Sequence, residues 1–190
     1  MFQTLTLMAA LALVPLISLA QTPTPSTGSA ACPALLQHTL PRLQDEKPQP
    51  LCQYAGKVLL VVNTASFCGY TPQYQGLEAL HTKYRDRGLV VLGFPSNDFS
   101  QESGSNKQIA EFCENTFGVK VPMFTKTTVR GAQAHPFYKA LAQSTGQAPQ
   151  WNFHKYLVGR DGQVLAAYPS ATGPESRELV AAIEKLLIAK

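Results

Sequence analysis

Hydrophobic and polar positions fall into distinct rhythms along this chain. Residues 58–62 (Val-Leu-Leu-Val-Val) and 89–94 (Leu-Val-Val-Leu-Gly-Phe) are continuous apolar runs, the pattern of strands buried on both faces. Between them, Tyr74, Leu77, Leu80, His81 and Tyr84 recur at helical spacing, and Gly88 supplies a stop. Thr71 reads as the N-cap of that helix and Pro72 as its first helical position. Strand, helix and strand at this length predict a right-handed βαβ unit with parallel strands. A second helix is predicted over 105–116: Ser105 and Gln108 fit a capping box, Ile109, Phe112 and Cys113 share a face, and Gly118 follows. Residues 153–158 and 164–168 flank Gly159-Arg160-Asp161-Gly162 and predict an antiparallel hairpin. A last helix from about Pro174 turns Leu179, Val180, Ile183, Leu186 and Leu187 inward. Upstream, Gln44-Asp45-Glu46-Lys47 reads as a turn between two short strands. The expected fold class is therefore α/β, a mixed sheet flanked by helices and preceded by an N-terminal β-hairpin.

Length and composition narrow this picture. The 190 residues suit one domain, and 45% hydrophobic with 15% charged residues is globular. Residues 1–20 hold no charged side chain and end in Ser18-Leu19-Ala20, a small-x-small cleavage signal. They read as a secretory signal peptide, cleaved after Ala20. A membrane anchor is the alternative, but the apolar stretch is short for a span and contains Pro15. Residues 21–31, rich in Pro, Ser and Thr, form an expected disordered spacer, and residues 32–190 form the folded domain. The mature protein is expected to be periplasmic or secreted, without stable membrane insertion. The net charge of +4 is scattered, with Lys83, Arg85 and Arg87 the nearest thing to a cluster; they read as a solvated face, and no nucleic-acid partner is expected.

The candidate chemistry lies in four cysteines: Cys32, Cys52, Cys68 and Cys113. None has CxxC or zinc-ligand spacing and the histidines form no cluster, so neither a metal nor another cofactor is expected. Export favours structural disulfides. Cys32 and Cys52 flank the predicted hairpin and are expected to pair, contributing about 3 kcal/mol on loop entropy, with two free thiols as the alternative. Cys68 follows the first buried strand and precedes a helix, where unpaired N–H groups and the helix dipole favour a thiolate. The segment 96–99 follows the second parallel strand, and ligands of such sheets gather at those carboxyl ends. Cys113 is open to two readings by pattern, a small core residue on an apolar stripe or a thiol that resolves an oxidised Cys68.

Three segments carry a family resemblance. Residues 56–71, ending Asn63-Thr64-Ala65-Ser66-Phe67-Cys68-Gly69-Tyr70-Thr71, resemble the nucleophile segment of the cysteine-containing glutathione peroxidases. Residues 94–104, with Phe94-Pro95-Ser96-Asn97-Asp98-Phe99 and Gln101-Glu102-Ser103-Gly104, are similar to that family's second signature, and Trp151-Asn152-Phe153-His154-Lys155-Tyr156-Leu157 to its third. The resemblance implies a thioredoxin-like fold and reduction of hydroperoxides. It implies that Cys68 attacks peroxide with Gln101, Trp151 and Asn152 as polar companions, and that Cys113 is the resolving cysteine of relatives fed by thioredoxin. The implied partners are a hydroperoxide substrate and a thioredoxin-like protein or glutathione as reductant. Ser96 stands where many relatives have cysteine, Ser103 replaces the usual proline, and the 99–104 turn is one residue shorter than common. The connection 146–150 lacks the longer insertion of tetrameric relatives, so a monomer is expected.

The donor types suit that chemistry. A free thiol with a pKa of about 8.5 is mostly protonated at neutral pH. Two amide NH2 groups and an indole N–H stabilise an anion without adding a titrating base. Two rival readings keep the same fold: a periplasmic thiol–disulfide oxidoreductase, which would ordinarily carry CxxC, and a peroxide sensor that passes a disulfide to a partner.

Overall fold

The computed structural model describes residues 1–2 and 31–188. The expected leader beyond residue 2 and the expected spacer up to residue 30 lie outside the described residues. Strands β1 (Thr39–Pro41) and β2 (Pro48–Pro50) form the antiparallel N-terminal hairpin. A four-stranded sheet has the order β4-β3-β5-β6, built from β3 (Val58–Thr64), β4 (Leu89–Pro95), β5 (Lys155–Val158) and β6 (Val164–Tyr168). β3 and β4 run parallel in register from Val58↔Leu89 to Thr64↔Pro95, while β5 is antiparallel to β3 and β6 to β5. The helices are α1 (Gln73–Tyr84), α2 (Asn106–Phe117), α3 (Pro136–Thr145) and α4 (Arg177–Ile188).

Alternation along β3 splits the interior in two. Val58, Leu60 and Val62 pack with Tyr74, Leu77 and Leu80 of α1, Ile109 of α2, and Leu179 and Ile183 of α4. Leu59 and Val61 face the other way, toward Phe137, Tyr138 and Leu141 of α3 and toward Leu36, Leu40 and Leu51 around the hairpin. All seven residues of β3 are buried, which is why its sequence is uniformly apolar until Asn63. Each such side chain contributes roughly 1.5–3 kcal/mol. Cys32 and Cys52 are joined by a disulfide with a Cα–Cα distance of 5.2 Å, tying the chain before the hairpin to the turn that leads into β3. Among the described residues, no helix is long and apolar enough to cross a membrane.

The elements depart from the sequence expectation at three places. α1 begins at Gln73, because the Thr71 hydroxyl is engaged upstream: it accepts from Cys68 N–H at 3.0 Å and donates to the Ala65 carbonyl at 2.9 Å. The last hairpin begins at Lys155 rather than Phe153, because Phe153 has φ 63°, outside the strand region. Helix α3 was not expected. Its N-cap is His135, whose ring nitrogen accepts from Phe137 N–H at 3.2 Å, with Pro136 at the first helical position and Gly146 at φ 69° beyond the end. The proline and glycine are the ordinary asymmetry of helix ends; histidine is an unusual cap and hides the start. The capping box of α2 forms as the sequence predicts, and Gly118 terminates that helix in the left-handed region.

Candidate active site

Parallel pairing places the carboxyl ends of β3 and β4 side by side, and Ser96 N–H donates to the Thr64 carbonyl at 2.9 Å. The loop after each strand is thereby confined to the same end of the sheet. The turn after β3 is braced by Thr71, whose hydroxyl bridges Cys68 N–H and the Ala65 carbonyl while its own N–H bonds the Cys68 carbonyl at 3.0 Å. Cys68 emerges from this turn 8% exposed, between the exposed rings of Phe67 and Tyr70. Tyr70 N–H donates to Cys68 Sγ at 3.4 Å.

The loop after β4 is laced to this turn. The Gln101 carbonyl accepts from Phe67 N–H at 3.1 Å. The Glu102 carboxylate is fully buried and accepts from Ser66 N–H at 2.8 Å and Ser66 Oγ at 3.0 Å. Burial raises the Glu102 pKa, against the Ser66 hydrogen bonds and the charge of Lys126, which lower it. On its far side the loop is held by Asp98, whose carboxylate accepts from the N–H groups of Val129 and Arg130 at 2.6 and 3.1 Å.

The third segment arrives from just before β5. Asn63 holds it at two points, donating its side chain to the Trp151 carbonyl at 3.1 Å and accepting from Phe153 N–H at 2.6 Å. Trp151 is 41% exposed and packs on Phe99 with ring centroids 5.3 Å apart. Asn152 is buried, and its amide donates to Gln101 Oε1 at 2.9 Å across 51 residues of sequence. Ser100 at φ 58° and Phe153 at φ 63° sit directly before Gln101 and directly after Asn152. Left-handed backbone at residues with a Cβ costs about 1–3 kcal/mol each and persists where surrounding bonds over-determine it. Two such residues therefore flank the segments that converge beside Cys68.

The structure thus brings Gln101 and Asn152 into direct contact and seats Trp151 and the Cys68 turn on the same scaffold. It does not place the three side-chain donors on the sulfur: among the described residues, the hydrogen bond that Cys68 Sγ receives comes from Tyr70 N–H. Because Asn152 occupies Gln101 Oε1, the Gln101 NH2 is left as the free donor of that pair. Cys113 lies in α2, 3% exposed, in the same apolar cluster as Cys68. Burial pushes its thiol up to about 11, partly opposed by the Tyr74 hydroxyl that faces it. A thiol so placed is a poor nucleophile while α2 stays packed. Both free cysteines are buried, and among the described residues no cluster has the makings of a metal site.

Sequence reasoning missed the bracing role of Thr71, the Tyr70 N–H and the Glu102–Ser66 bonds. Glu102 was visible only as the neighbour of Gln101; a carboxylate in a polar loop gives no local sign that tertiary packing will bury it. Beside Trp151 lies a cavity of 580 Å³, lined by Tyr70, Trp151, His154, Gln147, Gln150 and Ser170 among others, none of them charged.

Residues 37–142 match the sequence profile of a family described as glutathione peroxidase. The chain is 48% identical over 143 residues to a glutathione peroxidase-like peroxiredoxin of Schizosaccharomyces pombe, covering 73% of this chain and 90% of that protein. It is 49% identical over 154 residues to a hydroperoxy fatty acid reductase of Synechocystis, covering 75% of this chain and 90% of that protein. Among solved structures, Trgpx in apo form superposes with a TM-score of 0.64 at 34% identity, over 80% of this chain and 95% of that one. A thioredoxin-family thiol:disulfide interchange protein from Chlorobium tepidum superposes with a TM-score of 0.59 at 15% identity, over 79% and 92% of the two chains. That second likeness establishes the thioredoxin-like fold.

Proposed function

The chain belongs to the glutathione peroxidase family, and from that membership and the geometry of its site we propose how it reduces hydroperoxides. The Cys68 thiolate attacks the terminal oxygen of ROOH. The O–O bond breaks, the sulfur is oxidised to the sulfenic acid, and the departing alkoxide takes up a proton and leaves as ROH. The Gln101 NH2, the Asn152 amide behind it and the Trp151 indole N–H supply the neutral donors for the sulfur anion and the leaving oxygen. Cys113 then attacks the Cys68 sulfur, the S–O bond breaks, and a disulfide and water form. A thioredoxin-like dithiol, or glutathione, returns both sulfurs to thiols by exchange. Since Cys113 is buried, α2 has to loosen in the resolving step.

The observation that carries this reading is the Asn152–Gln101 hydrogen bond, which ties the second and third segments together beside the Cys68 turn. The uncharged cavity next to Trp151 favours organic hydroperoxides as substrates alongside hydrogen peroxide. The Cys32–Cys52 disulfide is consistent with an oxidising compartment, and together with the leader-like residues 1–20 it supports a periplasmic or secreted enzyme, while the short 146–150 connection supports a monomer. The thiol–disulfide oxidoreductase alternative loses ground because Cys68 is followed by Gly69-Tyr70-Thr71 rather than a second cysteine.

Steady-state consumption of hydrogen peroxide and a fatty-acid hydroperoxide, with thioredoxin or glutathione as donor, tests the reading. Cys68→Ser should abolish turnover with either donor. Undiminished turnover in that variant would remove Cys68 from the reaction.

A further inference from the structure

Lys155 is the sole lysine or arginine among the buried residues described, and none of its surface is exposed. It opens β5, where its backbone pairs with Val62 of β3 and Tyr168 of β6. The catalytic cycle above makes no use of it. Among the described residues no carboxylate pairs with it. An ammonium taken out of water without a counter-ion is strongly unfavourable, and burial pushes this one down to about 7.

Its hydrogen-bond partner is specific. Lys155 Nζ donates to the carbonyl of Phe153 at 2.7 Å, two residues back along the chain. Phe153 holds φ 63°, a conformation a bulky residue avoids unless its peptide groups are fixed. Its N–H is fixed by the Asn63 carbonyl at 2.6 Å and its carbonyl by Lys155. Immediately upstream, Trp151 and Asn152 must leave the turn at the angle that lets Asn152 reach Gln101 Oε1.

We propose that Lys155 is a positioning residue for the peroxidase site: its buried amine holds the Phe153 carbonyl and so fixes the left-handed turn that presents Trp151 and Asn152. The kinetic half of this proposal rests on the peroxidase reading; the structural half does not. The titratable groups packed around the turn include His154, between Phe153 and Lys155, Tyr168 opposite Lys155 on β6, and Tyr74 of α1, whose ring meets Phe153 edge-on at 5.4 Å. Burial drives His154 down to about 4 and raises both tyrosines, so none of the three titrates where Lys155 does.

Trp151 is the single tryptophan of the chain, so its emission reports on the turn directly. Lys155→Met keeps the apolar stem and removes the donor. The folded, reduced variant should show a shifted Trp151 emission and a second-order rate with peroxide lower by about 10-fold or more, with a melting temperature at or above that of the wild type. Unchanged emission, or changed emission with an unchanged rate, overturns the proposal. Should Lys155→Met fail to fold, emission from the otherwise native chain carrying Cys68→Ser decides the matter. A step between about pH 6 and 8 supports the clamp, since the ammonium is the stronger donor, and flat emission across that range overturns it. A wild type that consumes no peroxide would sink the peroxidase reading and leave the emission test of Lys155 standing.

Discussion

Asn152 donates one hydrogen bond to Gln101 Oε1, and that bond orients both amides. With Oε1 occupied, Gln101 presents N–H rather than a lone pair to its remaining neighbours. Asn152→Ala removes the orienting donor, and the Gln101 amide is then free to turn its oxygen toward an anionic sulfur. Removing a single donor from an anion-stabilising set typically lowers a rate by roughly 100- to 1,000-fold. Asn152→Asp should lower it further, because a carboxylate replaces the donor with a second acceptor facing Gln101 Oε1. Single-turnover oxidation of the reduced enzyme by hydrogen peroxide, followed by stopped flow, checks both. An aspartate variant faster than the alanine variant would show that the bond does not orient Gln101.

At the scale of elements, α2 combines two opposed demands. Its capping box and left-handed Gly118 end fix the helix firmly at both termini, while the resolving step needs Cys113 to leave the core. In Cys113→Ser the first, stoichiometric reaction with peroxide should keep its wild-type rate and turnover with thioredoxin should stop; full turnover would exclude Cys113 from the cycle. The elements carrying this machinery were largely legible in the sequence. The runs 58–62 and 89–94 declare their strands because burial on both faces leaves no polar position, and the Ser105–Gln108 box declares α2 because capping is local. The first turn of α1 and the start of β5 were misplaced because Thr71 and Phe153 take their conformations from specific hydrogen-bond partners rather than from the local hydrophobic pattern, Cys68 and Ala65 in one case, Asn63 and Lys155 in the other. Glu102 was illegible for the same reason: nothing local announces that a loop carboxylate will be buried against Ser66. Cys32 and Cys52 form the expected disulfide, at a sequence separation of 20. Replacing both with serine should lower stability by about 3 kcal/mol, or roughly 6–12 °C in melting temperature for a domain of this size, read by circular dichroism.

For the whole molecule, buried titratable groups make stability depend on pH. His154 titrates at about 4 in the fold against a usual 6.5, and Lys155 at about 7 against 10.5. Both pKa values are depressed, so in each case the unfolded chain binds the proton more readily. The stability tied to His154 is present above about pH 6.5 and is lost as pH falls toward 4. That tied to Lys155 is present above about pH 10.5 and is lost as pH falls toward 7. Cys113, raised from 9.0 to about 11, acts in the opposite sense, contributing stability below about pH 9 that is lost as pH rises toward 11. Between about pH 7 and 9 the Lys155 effect therefore stands alone among these three groups, and stability should rise by roughly 1 kcal/mol per pH unit. In Lys155→Met that rise should disappear, and the gap between variant and wild type should narrow steadily over the same range. Urea midpoints at half-unit pH steps on both proteins measure it. Parallel curves would mean that the buried amine keeps its proton throughout this range in the folded protein, as it does in the unfolded chain.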